Sequence, residues 1–311
     1  MVGGGSIAES GMSVTVQSSP DIQVEVVGQS AVAVTVVHGA PGSPGAPGSA
    51  GPTEVSTDSG NEATLGTDGL LYVGAMRLRE IDILTSTRTL SPLTGAWRWL
   101  HIRMVAGGGG GGGSSVNSRA GQAGAGGGAV DFWIKQETWN AQLAAWLAAH
   151  PTINIYDLHL TVGAGGVGGA PGSNGNDGGD SVLVLRGFQG LNPVAVVTLA
   201  TATKGLGGRA ANASISGFGS GGFGSINTDW AVGITVKGDG GDGRATLNAE
   251  TGSRGGRSML GGGGDPGPAD GTGGNALGYG GGGGSGARSS SGSNGGGGDG
   301  APGVLIMEVY D

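Results

Sequence analysis

Cysteine is absent from this chain of 311 residues, which excludes a disulfide framework and thiolate metal sites. Charge is scarce as well. Only 12% of residues are charged, and 23 Asp and Glu outweigh 15 Lys and Arg to leave a formal net charge of −8. That sign argues against a nucleic-acid partner, because binding a phosphate backbone needs a basic surface. No apolar run approaches the roughly 18 residues that mark a membrane-spanning helix. The first residues lack the basic-then-apolar order of a secretory leader.

What the chain has instead is glycine: 76 residues, with 12 Pro beside them. Such a composition ordinarily signals low complexity or disorder. Disorder, however, also goes with few apolar residues and high net charge, and here 36% of residues are hydrophobic. Glycine has no side chain to bury and loses the most backbone entropy on folding. A folded state this rich in Gly must therefore draw on backbone hydrogen bonds and close backbone approach. An extended helix of three residues per turn leaves its N–H and C=O groups pointing outward. Built from Gly, which keeps its N–H, such helices can pack side by side and bond to one another, helped by Cα–H···O contacts.

In chain order, residues 12–36 carry β-branched alternation (Val14, Val16; Ile22, Val24, Val26; Val32, Val34, Val36) that predicts three short strands. The stretch 39–52 reads GAPGSPGAPGSAGP, with Gly at 39, 42, 45, 48 and 51. That is the period of a collagen triple helix, where only Gly fits at the axis; a stiff Pro-rich spacer is the simpler alternative. Residues 53–96 read as a stem or joint, with short strands near 70–73 and 77–84. From Trp97 to Met104 an apolar strand runs straight into seven glycines, and the mirror arrangement closes the chain at 295–311. Between them, 129–135, 153–162, 181–185, 194–201 and 231–237 predict strands, each flanked by Gly-rich excursions. Residues 136–150 predict the one helix, with Trp139, Leu143, Trp146 and Leu147 on one face and a stop at His150–Pro151. The predicted class is mainly β with extensive polyglycine-II-like segments, a short collagen-like triple helix and one α-helix. The domains are a β-rich segment 1–38, a 39–52 spacer, a 53–96 stem or joint and a glycine-rich domain 97–311.

Chemistry-bearing patterns are thin. GxGxxG matches are frequent, as chance dictates at this glycine content, and none opens a helix after a strand. Lys204 is followed by Gly205 where a phosphate loop needs Ser or Thr. His38, His101, His150 and His159 share no ligand spacing. The stretch 172–180 (GSNGNDGGD) approximates one nonapeptide calcium repeat, but no tandem copy follows; turn-forming acidity is the plainer reading. Arg254-Gly255-Gly256-Arg257 is a single RGG-like unit in an acidic chain. No catalytic residues, no metal site and no cofactor are expected.

The order of parts resembles tailed-bacteriophage tail-fibre proteins. The resemblance rests on the collagen-like 39–52, SGNEATLGTDGLLYV (59–73), WRWLHIRMVAGGGGGGGS (97–114), AVDFWIK (129–135), LTVGAGGVGGAPGSNGNDGG (160–179) and GGGGDGAPGVLIMEVYD (295–311). The inserted helix at 136–150 departs from the family pattern. The resemblance implies a virion component, a homotrimer joined to other tail proteins through its N-terminal segment. It would act extracellularly at the host surface, with a tip that recognises a bacterial glycan or outer-membrane protein. A purely structural tail component is the alternative, and a glycan depolymerase is disfavoured for want of clustered carboxylates. Candidate recognition residues are those that interrupt Gly runs with larger side chains: Phe218, Phe223, Arg254, Arg257, Met259, Tyr279 and Arg288.

Overall fold

The computed structural model describes residues 76–90, 96–115, 120–211, 219–242, 251–269, 271–287 and 294–311, and the backbone of 63–65 and 71–73. The strands expected at 12–36 and the collagen-like 39–52 lie outside these residues. The chain divides into two units, Met1–Gly74 and Ala75–Asp311. In the first, β1 (Ala63–Leu65) and β2 (Leu71–Val73) form an antiparallel hairpin.

The second unit is mainly β, with a single helix among the described residues. Its strands are β3 (Leu78–Leu84), β4 (Arg88–Leu90), β5 (Trp99–Val105), β6 (Ala129–Lys135), β7 (Ile155–Thr161), β8 (Ser181–Gln189) and β9 (Asn192–Ala202). They continue with β10 (Gly224–Ile226), β11 (Val232–Val236), β12 (Leu260–Gly262), β13 (Leu277–Tyr279) and β14 (Val304–Tyr310). Sheet I has the order β11-β6-β5-β14-β3 and sheet II the order β10-β9-β8-β7-β4, both with antiparallel neighbours. A separate two-stranded ribbon pairs β12 with β13. β3 and β4, which the sequence reading assigns to the stem, thus lie in the two main sheets.

Period-two alternation builds the core. On β5, Leu100, Ile102 and Met104 point inward; Val130, Phe132 and Ile134 do so on β6, and Leu305, Met307 and Val309 on β14. They meet Leu158, Leu160, Leu183, Leu185 and Leu199 of sheet II in one continuous cluster, so the two sheets form a sandwich. Helix α1 (Gln136–Ala149) follows β6 without a loop. Its buried face inserts Trp139 against Trp230, with ring centroids 5.1 Å apart, and sets Trp146 beside Gly187. A Cβ on Gly187 would lie 2.3 Å from the Ile153 side chain and 2.7 Å from the Trp146 ring, so this strand position is kept bare for both. His150 closes the helix by donating from Nδ1 to the Trp146 carbonyl at 2.8 Å.

The connectivity gives the unit two ends. β5, β7, β9 and β11 run into Gly-rich spans, and β6, β8, β10 and β14 emerge from them. The α1 end lies opposite: Gln136 donates to Arg98, Trp99 pairs with Tyr310, and Tyr310 pairs with Leu78, where the chain comes in.

Candidate functional site

The Gly-rich spans bond to one another with a period of three. Along 107–114, every third residue donates its N–H to the same neighbour. Gly107, Gly110 and Gly113 donate to Gly179, Asn176 and Ser173; Gly108, Gly111 and Ser114 donate to Ala301, Gly298 and Gly295; Gly109 and Gly112 donate to Ala125 and Gln122. The carbonyls of the same span accept from three further spans: from Gly166, Gly169 and Gly172; from Gly205, Gly208 and Ala211; and from Gly283 and Gly286. Donation goes to antiparallel spans and acceptance comes from parallel ones.

Span 120–128 likewise has six hydrogen-bonded neighbours, and so does 280–287. These three bond to one another and form the inside of the bundle. Spans 163–172, 173–180, 203–211, 219–223, 237–242, 251–258, 263–268, 271–276 and 294–303 close a ring around them, each bonded to the next. The ring follows chain order, and the final span closes it between 271–276 and 163–172.

This arrangement explains the glycine content. A Cβ added anywhere from Gly107 to Gly113 would lie 1.9–2.2 Å from a neighbouring carbonyl oxygen. The inside also admits the buried Ala120, Ala123, Ala125, Ala287 and the longer Gln122, together with two hydrogen-bonded serines. The Ser114 hydroxyl accepts from the Gly295 N–H at 2.8 Å and has the Ala287 and Gly295 carbonyls, each at 3.1 Å, as acceptors for its one proton; the Ser285 hydroxyl accepts from the Ser253 N–H.

On the ring, backbone N–H groups facing away from the bundle are capped by side chains. Asn174, Asp177 and Asp180, three residues apart, accept from the N–H groups of Ala210, Gly207 and Lys204 at 2.7–2.8 Å. Asp299 caps Gly168 and Asn275 caps Asp299 in the same way. Burial raises the Asp177 pKa, but the Gly207 N–H and the Lys204 ammonium outweigh it and hold the carboxyl below its ordinary value. The acidic residues of the calcium-like stretch are therefore backbone caps. Among the described residues, no group of three His, Asp or Glu is placed to hold a metal ion.

At the end of the bundle away from the sheets, Ser114, Gly172, Ala211, Gly271, Ala287 and Gly295 lie within one hydrogen-bonded layer. Among the described residues, two turn-backs between paired spans occur there, while β12 and β13 reverse the chain at the sheet end. Ala170–Ser173 is a β-turn with Pro171 second and Gly172 third at φ 78°, as a type II turn requires. A second turn is closed by Gly271 donating to Pro268. The segments 116–119, 212–218, 243–250 and 288–293 lie outside the described residues.

Of the recognition candidates, Phe218 and Arg288 fall in those segments. Arg254 and Arg257 are exposed, three residues apart on one ring span, and Arg254 pairs with Asp265 at 3.0 Å. Met259 and Tyr279 come together at the sheet end of the bundle, half-buried against Val105, Ala129 and Val304. Phe223, 54% exposed, lies at the sheet end of another ring span, with Lys237 Nζ 4.9 Å from its ring centroid. The structure thus joins Met259 with Tyr279 and Arg254 with Arg257, and keeps Phe223 apart across the span 237–242.

Sequence reasoning missed a polar network on the outer face of sheet I. His101 lies between two carboxylates, Nδ1 2.8 Å from Glu308 and Nε2 2.7 Å from Asp131, and stacks on Trp133 with ring centroids 4.1 Å apart. Arg103 and the Tyr310 hydroxyl also donate to Glu308. Burial raises the Glu308 pKa, but bonds from His101 and Tyr310 and the Arg103 charge outweigh it and hold it below the ordinary carboxylate value. Burial and the Glu308 carboxylate push Tyr310 up. Every member sits at an outward position of an alternating strand; the missing signal was the register that brings them together.

A family model described as a glycine-rich domain matches residues 85–310. Comparison with curated proteins gives no match.

Proposed function

The chain belongs to the glycine-rich domain family, and from that premise we propose that it is a bacteriophage tail-fibre or tail-tip protein that attaches the virion to its host. The single observation that carries this reading is the polarity of the second unit. The chain comes in at the α1 end, and the Ala170–Ser173 turn and the turn closed by Gly271 and Pro268 lie at the opposite end. A protein that must hold a recognition surface away from its own mount needs that separation.

The bundle is a set of polyglycine-II-like helices, a reading supported by its three-residue hydrogen-bond rotation. Such a framework holds its loops in place before contact, so little ordering entropy is lost on binding. The glycine period at 39–51 supports a short collagen-like triple helix, and with it a homotrimer. Residues 1–38 join the fibre to other tail proteins. Partners at the far end are a surface glycan or an outer-membrane protein, and the protein works outside the cell as part of the virion. Several identical ends acting together give avidity, so each contact can be weak. The reading is non-enzymatic.

The test is adsorption. Labelled full-length protein should bind host cells saturably and block phage adsorption in proportion to occupancy. A folded protein that neither binds nor competes would refute attachment and leave a structural tail component.

A further inference from the structure

We propose that the outer face of sheet II is the surface through which copies of this chain pack against one another, around a common threefold axis. The proposal rests on the homotrimer reading above and adds where the copies meet.

The two sandwich faces differ. Over sheet I the bundle overhangs: ring spans 251–258, 263–268 and 271–276 lie beyond that sheet, and Met259, Leu260 and Tyr279 cover Val105 and Val304. Three copies turned inward on that side would collide through their bundles before their sheets met. Among the described residues, no Gly-rich span overhangs sheet II. Its strands continue directly into the outermost spans, 163–172, 173–180, 203–211 and 219–223.

Both outer faces carry exposed apolar side chains, Ile81, Ile83, Val232 and Ile234 on sheet I among them, so the overhang is what separates the faces, and sheet II's is the one left open to be covered. It carries exposed Ile155, Val194 and Val196, with half-buried Val182, Val184 and Phe188 between them. Its central charged pair is already complete: Arg186 donates to both oxygens of Asp157 at 2.8–2.9 Å, and its guanidinium lies over Phe188. Covering a closed pair leaves no unpaired buried charge, which is the costly case. Elsewhere, copies of a chain with net charge −8 repel one another.

The dimensions fit a threefold arrangement. Five strands about 4.8 Å apart make a face about 24 Å wide, and three such faces enclose an axis about 7 Å from each sheet. Ordinary two-sheet packing leaves about 5 Å per layer, so the middle of each face needs the longest side chains. The middle strand, β8, carries Arg186 and Phe188 outward; its neighbour β9 presents valines.

The chain has no cysteine, so introduced thiols report contacts without background. In full-length protein, Val184→Cys at the middle of the face should be linked in pairs by a short bismaleimide, since thiols facing one another across an axis about 7 Å away are too far apart for a direct disulfide. Val196→Cys, linked with a short bismaleimide, should behave likewise. Ile234→Cys on the outer face of sheet I should stay uncrosslinked. Native mass of the unmodified chain separates the two layers of the argument. A single-chain mass overturns the homotrimer reading and this proposal together. A three-chain mass in which Ile234→Cys crosslinks and the sheet II variants do not overturns this proposal alone.

Discussion

Gly111→Ala adds one methyl group to the inside of the bundle. Its Cβ would lie 2.0 Å from the Gly284 oxygen and 2.6 Å from the Gly284 carbonyl carbon. An ordinary contact is at least about 3.4 Å, so one span must move by more than an ångström. Gly111 donates to Gly298 and accepts from Gly169, while Gly284 donates to Gly274 and accepts from Gly298. Displacement therefore strains bonds in several spans at once. Overpacking costs about 1–3 kcal/mol, and each backbone group left unsatisfied adds about 1–3 kcal/mol. A loss of about 3–6 kcal/mol is expected, a large share of the roughly 5–15 kcal/mol that holds a typical domain together. Gly262→Ala is the matched control, because nothing lies within 4 Å of its Cβ. That change should be neutral or gain about 0.4–1 kcal/mol by restricting the unfolded chain. Denaturant unfolding followed by tryptophan fluorescence reads both. Equal stabilities for the two variants would refute the packed-bundle reasoning.

The network around Glu308 sets a pH window. Its folded pKa lies below the ordinary 4.5, so its contribution is complete above that value and is lost as pH falls through the folded pKa. Tyr310, raised from 10.0, contributes fully below that value and loses its contribution as pH rises through the folded pKa. Melting temperature against pH should show both limbs, and Glu308→Gln should flatten the acid one; an unchanged acid limb would contradict the assignment. Asp177→Ala removes the Gly207 cap and the Lys204 pair, and should cost about 0.5–1.5 kcal/mol, with no response to added calcium in melting scans. Trp139→Ala empties the site against Trp230 and should cost about 3–5 kcal/mol in denaturant unfolding.

Much of the sandwich was legible because strands carry side-chain alternation. The outward and inward positions of β5, β6 and β14 follow from their residues alone, and so does the tryptophan face of α1. The bundle was legible only as a kind of structure. Glycine offers no side-chain period, so nothing in the runs says which span lies beside which; hydrogen-bond register decides it. One clue was present and unread: Asn174, Asp177 and Asp180 recur every third residue, the spacing at which one side of such a span repeats. β4, β10, β12 and β13 are three residues each, too short to stand out, and the last two lie hidden in 252–303. Reading Met259 and Tyr279 as loop residues followed from their size among glycines; the β12–β13 ribbon instead turns both toward Val105 and Val304.

Backbone amide exchange tests the bundle most directly. In full-length protein, peptides covering 107–114, 120–128 and 280–287 should be the most protected of all the Gly-rich sequence, since each of these spans is enclosed on six sides. Ring spans 219–223 and 237–242 should exchange sooner. Exchange of 107–114 at the rate of an unstructured chain, while β5 and β14 stay protected, would contradict the account: the glycines would then be tethers between strands and not a framework.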